Sequence, residues 1–216
     1  EFTHLHVHTE YSLLDGSNKI KECVKRVKEL GMDSVAITDH GVMYGVIDFY
    51  RAARAEGIKP ILGCEVYVAP NSRFDKELTG GEERYHHLVL LAENNQGYAN
   101  LMKIVSRGFT EGYYYKPRYI EKGMIEEAKQ AALKYQDCFG KGNYFLELQD
   151  HGIPMQQTVN AALLSMSREL DIPLVATNDV HYTRAEDAQA HDILLCIQTG
   201  KVVTDENRMR YEGGQY

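Results

Sequence analysis

The 216-residue sequence has no tryptophan, only 5 prolines and only 4 cysteines, against 15 tyrosines. The cysteines lie far apart and form no CxxC pair, so a disulfide framework is not expected. We interpret them as reduced cysteines of the core. They are Cys23, Cys64, Cys138 and Cys196.

Long apolar runs and an excess of basic residues are missing as well. No stretch approaches the roughly 18 apolar residues of a membrane span. No basic-then-apolar leader opens the sequence, so we expect a soluble, cytoplasmic protein with no membrane partner. The formal net charge of −7 argues against binding of nucleic acid by this chain alone, because such binding normally needs a basic face. For a phosphate substrate, bound cations would have to supply the positive charge.

Short apolar strands alternate with helical segments along the chain. Strands are predicted at 3–8, 33–38, 59–65, 87–92, 143–147 and 172–177, and helices at 17–30, 46–56, 97–107, 120–139, 156–170 and 187–198. Ser17 or Asn18 is the expected cap of the first helix. The alternation predicts βαβ units, a parallel sheet and an α/β fold. No internal repeat is present, so a single domain over 1–216 is expected.

Two pairs of metal-ligating residue types stand at opposite ends of the chain. They are His6 with His8 and Asp179 with His181. The spacing of two places both members of a pair on one face of a strand. Imidazole and carboxylate groups are ligands for a Zn, Mn or Fe ion. The sequence therefore predicts a fold that brings its two ends together around metal.

Further ligand types follow other predicted strands. His40 stands at a strand-to-helix turn, and Glu65 ends an apolar run in which an unpaired carboxylate would be costly to bury. Asp15 lies in an Asp-Gly turn, where a purely backbone role is also natural. Of the adjacent His86 and His87, at most one is expected to face inward, and spacing does not decide which. This number of ligands can hold more than one metal ion. Neighbouring metal ions suit displacement reactions at phosphorus, so the sequence predicts phosphoester hydrolysis.

The motifs that contain these residues resemble the PHP (polymerase and histidinol phosphatase) domain, in the version found in the alpha subunit of bacterial DNA polymerase III. The matching motifs are 3–16, 36–41, 59–65, 87–92, 144–149, 176–181 and 190–192, and together they cover essentially the whole chain. The resemblance implies a distorted (β/α)7 TIM-like barrel and two to three divalent metal ions, of Zn, Mn or Fe. The metal ligands that it implies are His6, His8, Asp15, His40, Glu65, His87, Asp179 and His181.

The resemblance also implies an activity. It is metal-dependent hydrolysis of phosphoesters, as a 3′–5′ exonuclease on DNA or on small phosphate esters, within a replicative polymerase and its replisome. Asp15 and His181 are the candidate catalytic groups for proton transfer. Lys116 and Arg118 are candidates for substrate binding, with a solvated loop as the alternative. The chain is then expected to be an excised N-terminal domain of a larger polymerase.

The sequence departs from the family pattern after Arg118. Where the family carries a further strand and one more ligand, usually cysteine, Arg118 runs directly into Tyr119. That segment is either deleted or left out of the numbering, and its absence would remove one barrel strand. Two alternatives to the polymerase-associated hydrolase stay open. One is a structural metal-binding domain without turnover, and the other is a stand-alone or engineered phosphoesterase, such as a phosphotriesterase.

Overall fold

The computed structural model describes most of the chain. The described residues are 2–69, 72–74, 85–114, 116–117 and 125–211. Arg118 lies outside them, and only the backbone of Lys116 is described. The predicted contact of these two residues with substrate therefore stays a prediction. In the described part of the chain, no helix is long and apolar enough to cross a membrane.

The described residues divide into two compact units. One unit takes in the described positions up to 117 together with Asp179–Tyr211, and the other takes in positions 125–178. The helices are α1 (Ile20–Glu29), α2 (Val46–Glu56), α3 (Asn95–Thr110), α4 (Ile125–Phe139), α5 (Pro154–Leu170) and α6 (Ala188–Thr199), with a 3-10 turn at Ala185–Asp187 before α6. The predicted alternation of helices and strands is thus confirmed, while the prediction of a single domain stays a prediction.

The strands form separate small sheets among the described residues. They are β1 (Ser34–Ile37), β2 (Lys59–Val68), β3 (His86–Leu91), β4 (Tyr113–Tyr114), β5 (Lys116–Pro117), β6 (Leu146–Leu148) and β7 (Leu174–Ala176). The first sheet has the order β1-β2-β3, and β4-β5 and β6-β7 form two-stranded sheets. The pairs β1–β2 and β6–β7 are parallel, as predicted. The described sheets do not close into a barrel.

The core of the first unit follows from the periodicity of its first helix. The apolar positions Ile20, Cys23, Val24 and Val27 recur at helical spacing, so α1 buries one continuous stripe. This stripe packs in one cluster with residues of β1 and with Phe49 of α2, whose side chain is fully buried. Burying a side chain of that size stabilises the fold by about 1.5–3 kcal/mol. The packing fixes the carboxyl ends of β1 and β2, which carry predicted ligands.

The second unit has a small core of its own. Ala132 of α4, Leu146 of β6 and Met166 of α5 are buried together with Ile172, which precedes β7. The helix predicted at 120–139 is described from Ile125 onward, and positions 120–124 lie outside the described residues. Both strands of this unit are shorter than the sequence predicts, with three residues each.

Three predictions about local structure are wrong. Residues 3–8 do not form a regular strand and instead make isolated bridges, His4 to Val35 and Val7 to Val180. The strand pair β2–β3 is antiparallel, and no helix is described between the two strands, whereas a parallel pair needs a long, usually helical crossover. The cap of α1 is Lys19, without a side-chain hydrogen bond.

The four cysteines are free thiols, as predicted. Cys23, Cys64 and Cys196 are buried, while Cys138 is exposed and does not belong to the core.

Candidate metal centre

Backbone hydrogen bonds bring the two ends of the chain together. His8 N–H donates to the Val180 oxygen at 2.8 Å, and Val180 N–H donates to the His6 oxygen at 3.0 Å. Because side chains alternate along an extended segment, this pairing directs His6 and His8 to the same side as Asp179 and His181. The central prediction from the sequence, convergence of the two end pairs, is what the structure shows.

Asn18 reinforces this junction. Its side-chain amide donates to the backbone oxygen of His8 at 2.7 Å and to that of Val180 at 3.3 Å. It also accepts a hydrogen bond from the Thr183 hydroxyl at 2.7 Å. Asn18 is fully buried. The residue expected to cap α1 therefore ties together the two segments that carry the end pairs.

The ends of β1 and β2 supply the next two predicted ligands. His40 and Glu65 form an isolated parallel bridge just beyond the paired part of β1 and β2. Gly41 N–H donates to the backbone oxygen of Glu65 at 2.8 Å. The β2–β3 pairing then adds His87. Its Nδ1 lies 2.8 Å from Glu65 Oε1. His86, its neighbour, belongs to none of the groups of metal-ligating atoms among the described residues, whereas His87 belongs to one.

Glu65 is the most heavily contacted carboxylate of the cluster. Its Oε2 lies 2.6 Å from His40 Nδ1 and 3.3 Å from His8 Nε2. Its Oε1 lies 3.5 Å from His6 Nε2, in addition to the contact with His87. The Glu65 side chain is 4% exposed. A carboxylate so deeply buried is stable only where positive charge or hydrogen bonds compensate it.

Asp179 and Asp15 each contact two histidines of the cluster. Asp179 Oδ1 lies 3.2 Å from His6 Nε2 and 3.2 Å from His8 Nε2. Asp15 Oδ2 lies 2.8 Å from His40 Nε2 and 3.6 Å from His181 Nε2. All eight residues named as ligands are therefore in one cluster within the first unit.

The hydrogen-bond network assigns the tautomer of His8. Ser12 Oγ donates to Asp39 Oδ1 at 2.8 Å, so its oxygen accepts at 2.9 Å from His8 Nδ1. The ring proton of neutral His8 is then on Nδ1, and Nε2 carries a lone pair. That lone pair faces Glu65 Oε2 and Asp179 Oδ1 at 3.3 and 3.2 Å. These three atoms all carry lone pairs and repel one another, so a cation between them would stabilise the arrangement.

Asp39 completes this outer layer. Its carboxylate accepts hydrogen bonds from Thr9 N–H at 2.6 Å, the Thr9 hydroxyl at 2.8 Å and the Ser12 hydroxyl. Asp39 thus orients the His8 imidazole through Ser12, which stands between the two residues. His181 is oriented in a similar way, since its Nδ1 donates to the Asp179 backbone oxygen at 2.8 Å and leaves Nε2 toward Asp15.

The residues present fit divalent cations. Three groups of ligand atoms each lie within 4.8 Å of one another: His8, His40 and His181; His6, His8 and Asp179; and His40, Glu65 and His87. Among the described residues, the buried atoms Glu65 Oε2, Asp179 Oδ1 and His40 Nδ1 have no partner in hydrogen-bond geometry. Because His8 and His40 are each shared by two groups, the set suits neighbouring ions better than one isolated ion.

The carboxylates of the cluster are held ionised. Burial by itself raises the pKa of a carboxyl group, but the surrounding imidazoles outweigh it for Asp15, Glu65 and Asp179. In each case the pKa lies below the usual value. Three ionised carboxylates are therefore available to bind cations at neutral pH.

The pKa values of His8 and His40 are shifted in opposite directions. Burial, together with the charge of His40, lowers the pKa of His8 to about 3, so this ring is neutral. Burial also acts to lower the pKa of His40, but the close carboxylates of Asp15 and Glu65 outweigh it and raise the pKa to about 9. In the metal-free protein, His40 thus carries the proton that partly offsets the carboxylate charge.

Several residues of the site were not found by sequence reasoning. Ser12, Asn18 and Tyr211 contact ligands or their backbone, and their spacing to the ligands follows no pattern. Tyr211 lies with its hydroxyl 3.3 Å from His181 Nε2. Burial, with Asp15 and Asp179 nearby, raises the pKa of Tyr211, so its hydroxyl is protonated at neutral pH. Of these three residues, only Ser12 carries a signal in the sequence, because it is a polar residue close to a ligand motif.

Comparison with known protein families identifies the family of the chain. The family model of the PHP domain matches residues 4–126, more than half of the chain. The chain belongs to the PHP domain family, which confirms the resemblance seen in its motifs.

The similar curated proteins are of one kind. The chain is 43% identical over 241 residues to the DNA polymerase III subunit alpha of Treponema pallidum. It is also 43% identical over 241 residues to that of Borreliella burgdorferi. In both alignments the whole chain is covered, but only 21% of the relative, so the chain spans about a fifth of their length. The alignments exceed the 216 residues of the chain by 25 positions, which agrees with a segment that this chain does not share.

Among solved structures, an amidohydrolase from Chromobacterium violaceum has a similar fold. The TM-score is 0.51 at 16% identity, over 86% of this chain and 89% of the other. The likeness concerns the fold alone. It supports the α/β class that the sequence predicts.

Proposed function

We propose that this chain is a metal-dependent phosphoesterase domain of a bacterial DNA polymerase III alpha subunit. One observation carries the proposal: the His8 Nε2 lone pair faces two buried carboxylate oxygens, of Glu65 and Asp179. A site built in this way is stable with cations inside it. Membership of the PHP family and the identity to polymerase alpha subunits support the polymerase context.

Divalent cations in such a cluster lower the pKa of water toward neutrality and neutralise the oxygens of a phosphoryl group. The residues that would hold them are the eight named above: seven lie in the three overlapping groups that share His8 and His40, and Asp15 lies beside His40 and His181. We propose two to three ions of Zn, Mn or Fe, since histidine with carboxylate suits each of these metals.

The charge of the chain supports dependence on cations. The formal net charge is −7, and three ionised carboxylates lie in the cluster itself. A phosphate ester would be repelled by this site without cations, because like charges in a poorly hydrated site repel strongly. Substrate binding and metal binding are therefore coupled in this proposal.

The proposed reaction is hydrolysis of a phosphodiester at the 3′ end of DNA, with activity on small phosphate esters. The oxygen of water bonds to phosphorus, the bond from phosphorus to the leaving oxygen breaks, and the water proton passes to the protein. Asp15 Oδ2 and His181 Nε2 are the proposed acceptors of that proton. Asp15 is ionised, and His181 donates from Nδ1 to the Asp179 backbone oxygen, which leaves its Nε2 toward Asp15.

The fold assignment is refined in the same proposal. The distorted (β/α)7 barrel, the single domain over 1–216 and a place in the cytoplasm beside the rest of the polymerase chain and its replisome are proposed here. These features are the family's, and the chain belongs to the family by 123 matched positions, 4–126.

The test is metal analysis of the purified chain together with two assays. After chelation, the chain is reloaded with Mn²⁺ or Zn²⁺ and incubated with single-stranded DNA labelled at the 5′ end and with bis-p-nitrophenyl phosphate. We expect shortening of the DNA from its 3′ end, which stops with chelator and in His8→Ala.

The other outcomes separate the alternatives. Stoichiometric metal without turnover on either substrate would favour a structural metal-binding domain. Turnover of a phosphotriester such as paraoxon with no action on DNA would favour a stand-alone phosphotriesterase. A chain that takes up no metal at all would overturn the proposal.

A further inference from the structure

Asp15 follows a residue with an unusual backbone conformation. The preceding residue, Leu14, has a φ of +64°, in the left-handed region that non-glycine residues rarely adopt. Such a conformation persists only where the surroundings hold it. The position of the Asp15 carboxylate therefore depends on contacts from other parts of the chain.

His191 of α6 holds the backbone of Asp15. Its Nε2 lies 2.7 Å from the Asp15 backbone oxygen. A carbonyl oxygen only accepts, so the ring proton is on Nε2 and His191 donates. The His191 residue is 1% exposed, which shields the hydrogen bond from competition by water.

Tyr211 holds the side chain of the same residue. Its hydroxyl lies 3.5 Å from Asp15 Oδ1, on the oxygen that His40 does not contact, and 3.3 Å from His181 Nε2. The Tyr211 ring packs edge-on against His191, with centroids 4.9 Å apart. Backbone and carboxylate of Asp15 are thus contacted by two residues that also contact each other.

A partly buried ion pair anchors the segment before Tyr211 to the helix that carries His191. Arg208 donates from both terminal nitrogens to the Asp192 carboxylate, at 2.5 and 2.7 Å. Paired contacts of this kind fix orientation as well as distance. The Arg208 side chain is 5% exposed. The segment that follows α6 is therefore fastened to α6, three residues before Tyr211.

We propose that His191 and Tyr211 are positioning residues that hold Asp15 at the ion-binding position beside His40 and His181. Among the described residues, His191 belongs to none of the groups of metal-ligating atoms. The inference rests on the metal centre of the proposed function and extends it to residues outside the ligand set. Partners of this outer kind typically change metal affinity by about 10–100-fold when they are lost.

The experiment measures binding of Mn²⁺ alone to the metal-free 216-residue chain, by calorimetric titration and by metal content after dialysis. The variants are His191→Leu, His191→Gln and Tyr211→Phe, with Asp15→Asn as the reference for loss of this ligand. Tyr50→Phe, on the exposed side of α2, is the control for loss of a tyrosine hydroxyl.

Asp15→Asn should lower the affinity for one of the bound Mn²⁺ ions. We expect His191→Leu and Tyr211→Phe to lower the affinity for the same ion by about 10–100-fold and to leave the affinity for the other Mn²⁺ ions unchanged. His191→Gln keeps an N–H donor, so it should recover at least part of the affinity lost in the leucine variant. Tyr50→Phe should bind like the unmodified chain.

Unchanged Mn²⁺ binding in both His191→Leu and Tyr211→Phe would overturn the inference. An equal loss of every Mn²⁺ would overturn it too, since a general structural role predicts that pattern. If His191→Leu does not fold, Tyr211→Phe decides, because it removes only a hydroxyl. An unmodified chain that binds neither Mn²⁺ nor, in the same titration, Zn²⁺ or Fe²⁺ contradicts the proposed function itself, whereas normal binding with unaffected variants contradicts only the positioning role.

Discussion

Asp179 Oδ1 lies 3.2 Å from His8 Nε2, although the two residues come from opposite ends of the described chain. Asp179 reaches this position from a left-handed backbone, with a φ of +49°. Strain of this kind is typical of functional sites, where neighbouring structure holds the residue in place. Here the bonds between Val180 and the segment 6–8 supply that restraint.

Replacement of His8 should abolish the metal-dependent activity. His8 belongs to two of the three ligand groups, so His8→Ala removes a ligand from two neighbouring ion positions. We expect turnover of bis-p-nitrophenyl phosphate to fall by at least ~100-fold, since each ion contributes several kcal/mol to transition-state stabilisation. The matched control is His86→Ala, beside His87 but outside the groups, which should keep its activity. Equal losses in the two variants would contradict this assignment.

Loss of the Ser12 hydroxyl should weaken metal binding without removing a ligand. Ser12→Ala leaves His8 Nδ1 and the Asp39 carboxylate without their shared partner. We expect the affinity for Zn²⁺ to fall by about 10–100-fold. Competition with a chelating dye measures it. Ser106→Ala, on the exposed surface of α3, is the control, and unchanged affinity in Ser12→Ala would argue against an orienting role.

A methyl group at Gly16 should displace the loop that carries Asp15. A Cβ at this position would lie 2.2 Å from the Thr9 backbone oxygen, and backbone atoms cannot move aside cheaply. We expect Gly16→Ala to lower the thermal midpoint of the chain by several degrees and to lower metal content. Gly97→Ala, at the start of α3, is the control. The atom nearest to a Cβ there is 3.5 Å away, so this variant should keep its thermal midpoint and its metal content. Full metal content in Gly16→Ala would contradict the prediction.

Metal uptake should release a proton from His40. In the metal-free protein its pKa is about 9, so the ring is protonated at pH 7–8 and must lose that proton to bind a cation. The apparent metal affinity should therefore rise by up to about tenfold per pH unit up to pH 9 and level off above it. Calorimetry at pH 8 in buffers with different heats of ionisation measures the released proton. Heats that do not depend on the buffer would contradict this expectation.

The same shift predicts how the stability of the metal-free chain changes with pH. The folded pKa of His40 is raised above its unfolded value of about 6.5, so its contribution to stability is fully present below pH 6.5. It is lost as the pH rises through about 9. The thermal midpoint of the chelated chain should fall over this range. His40→Gln should show a smaller fall, and the same slope in both would contradict the assignment to His40.

Much of the fold could be predicted because local patterns determine it. The stripe of α1 and the fully buried strand β1 are direct consequences of apolar spacing, and both lie where the sequence predicts them. Residues 3–8 are different: their period of two predicts a strand, but the structure pairs them only at single bridges. The direction of β3 could not be predicted, since strand direction depends on the connection and not on the strand's own residues.

The candidate ligands could be found from the sequence because metal ligands come from few residue types. His6, His8, Asp179 and His181 could be paired by spacing alone, whereas the choice of His87 over His86 needed the family resemblance. Asn18 shows the limit of local reasoning. Its sequence position predicts a helix cap, but its amide bonds to His8 and Val180 instead, and no local pattern distinguishes the two roles.

The sequence by itself determined which chemical groups the protein has: imidazoles and carboxylates at strand ends, in a chain of net negative charge that has to recruit cations for phosphate chemistry. Only the tertiary structure decided which atom of each group faces which neighbour. The proton on His8 Nδ1, the contacts of Tyr211 and the close approach at Gly16 depend on distances between remote segments. Residue types fix what a group can bind, but packing fixes where its lone pairs point.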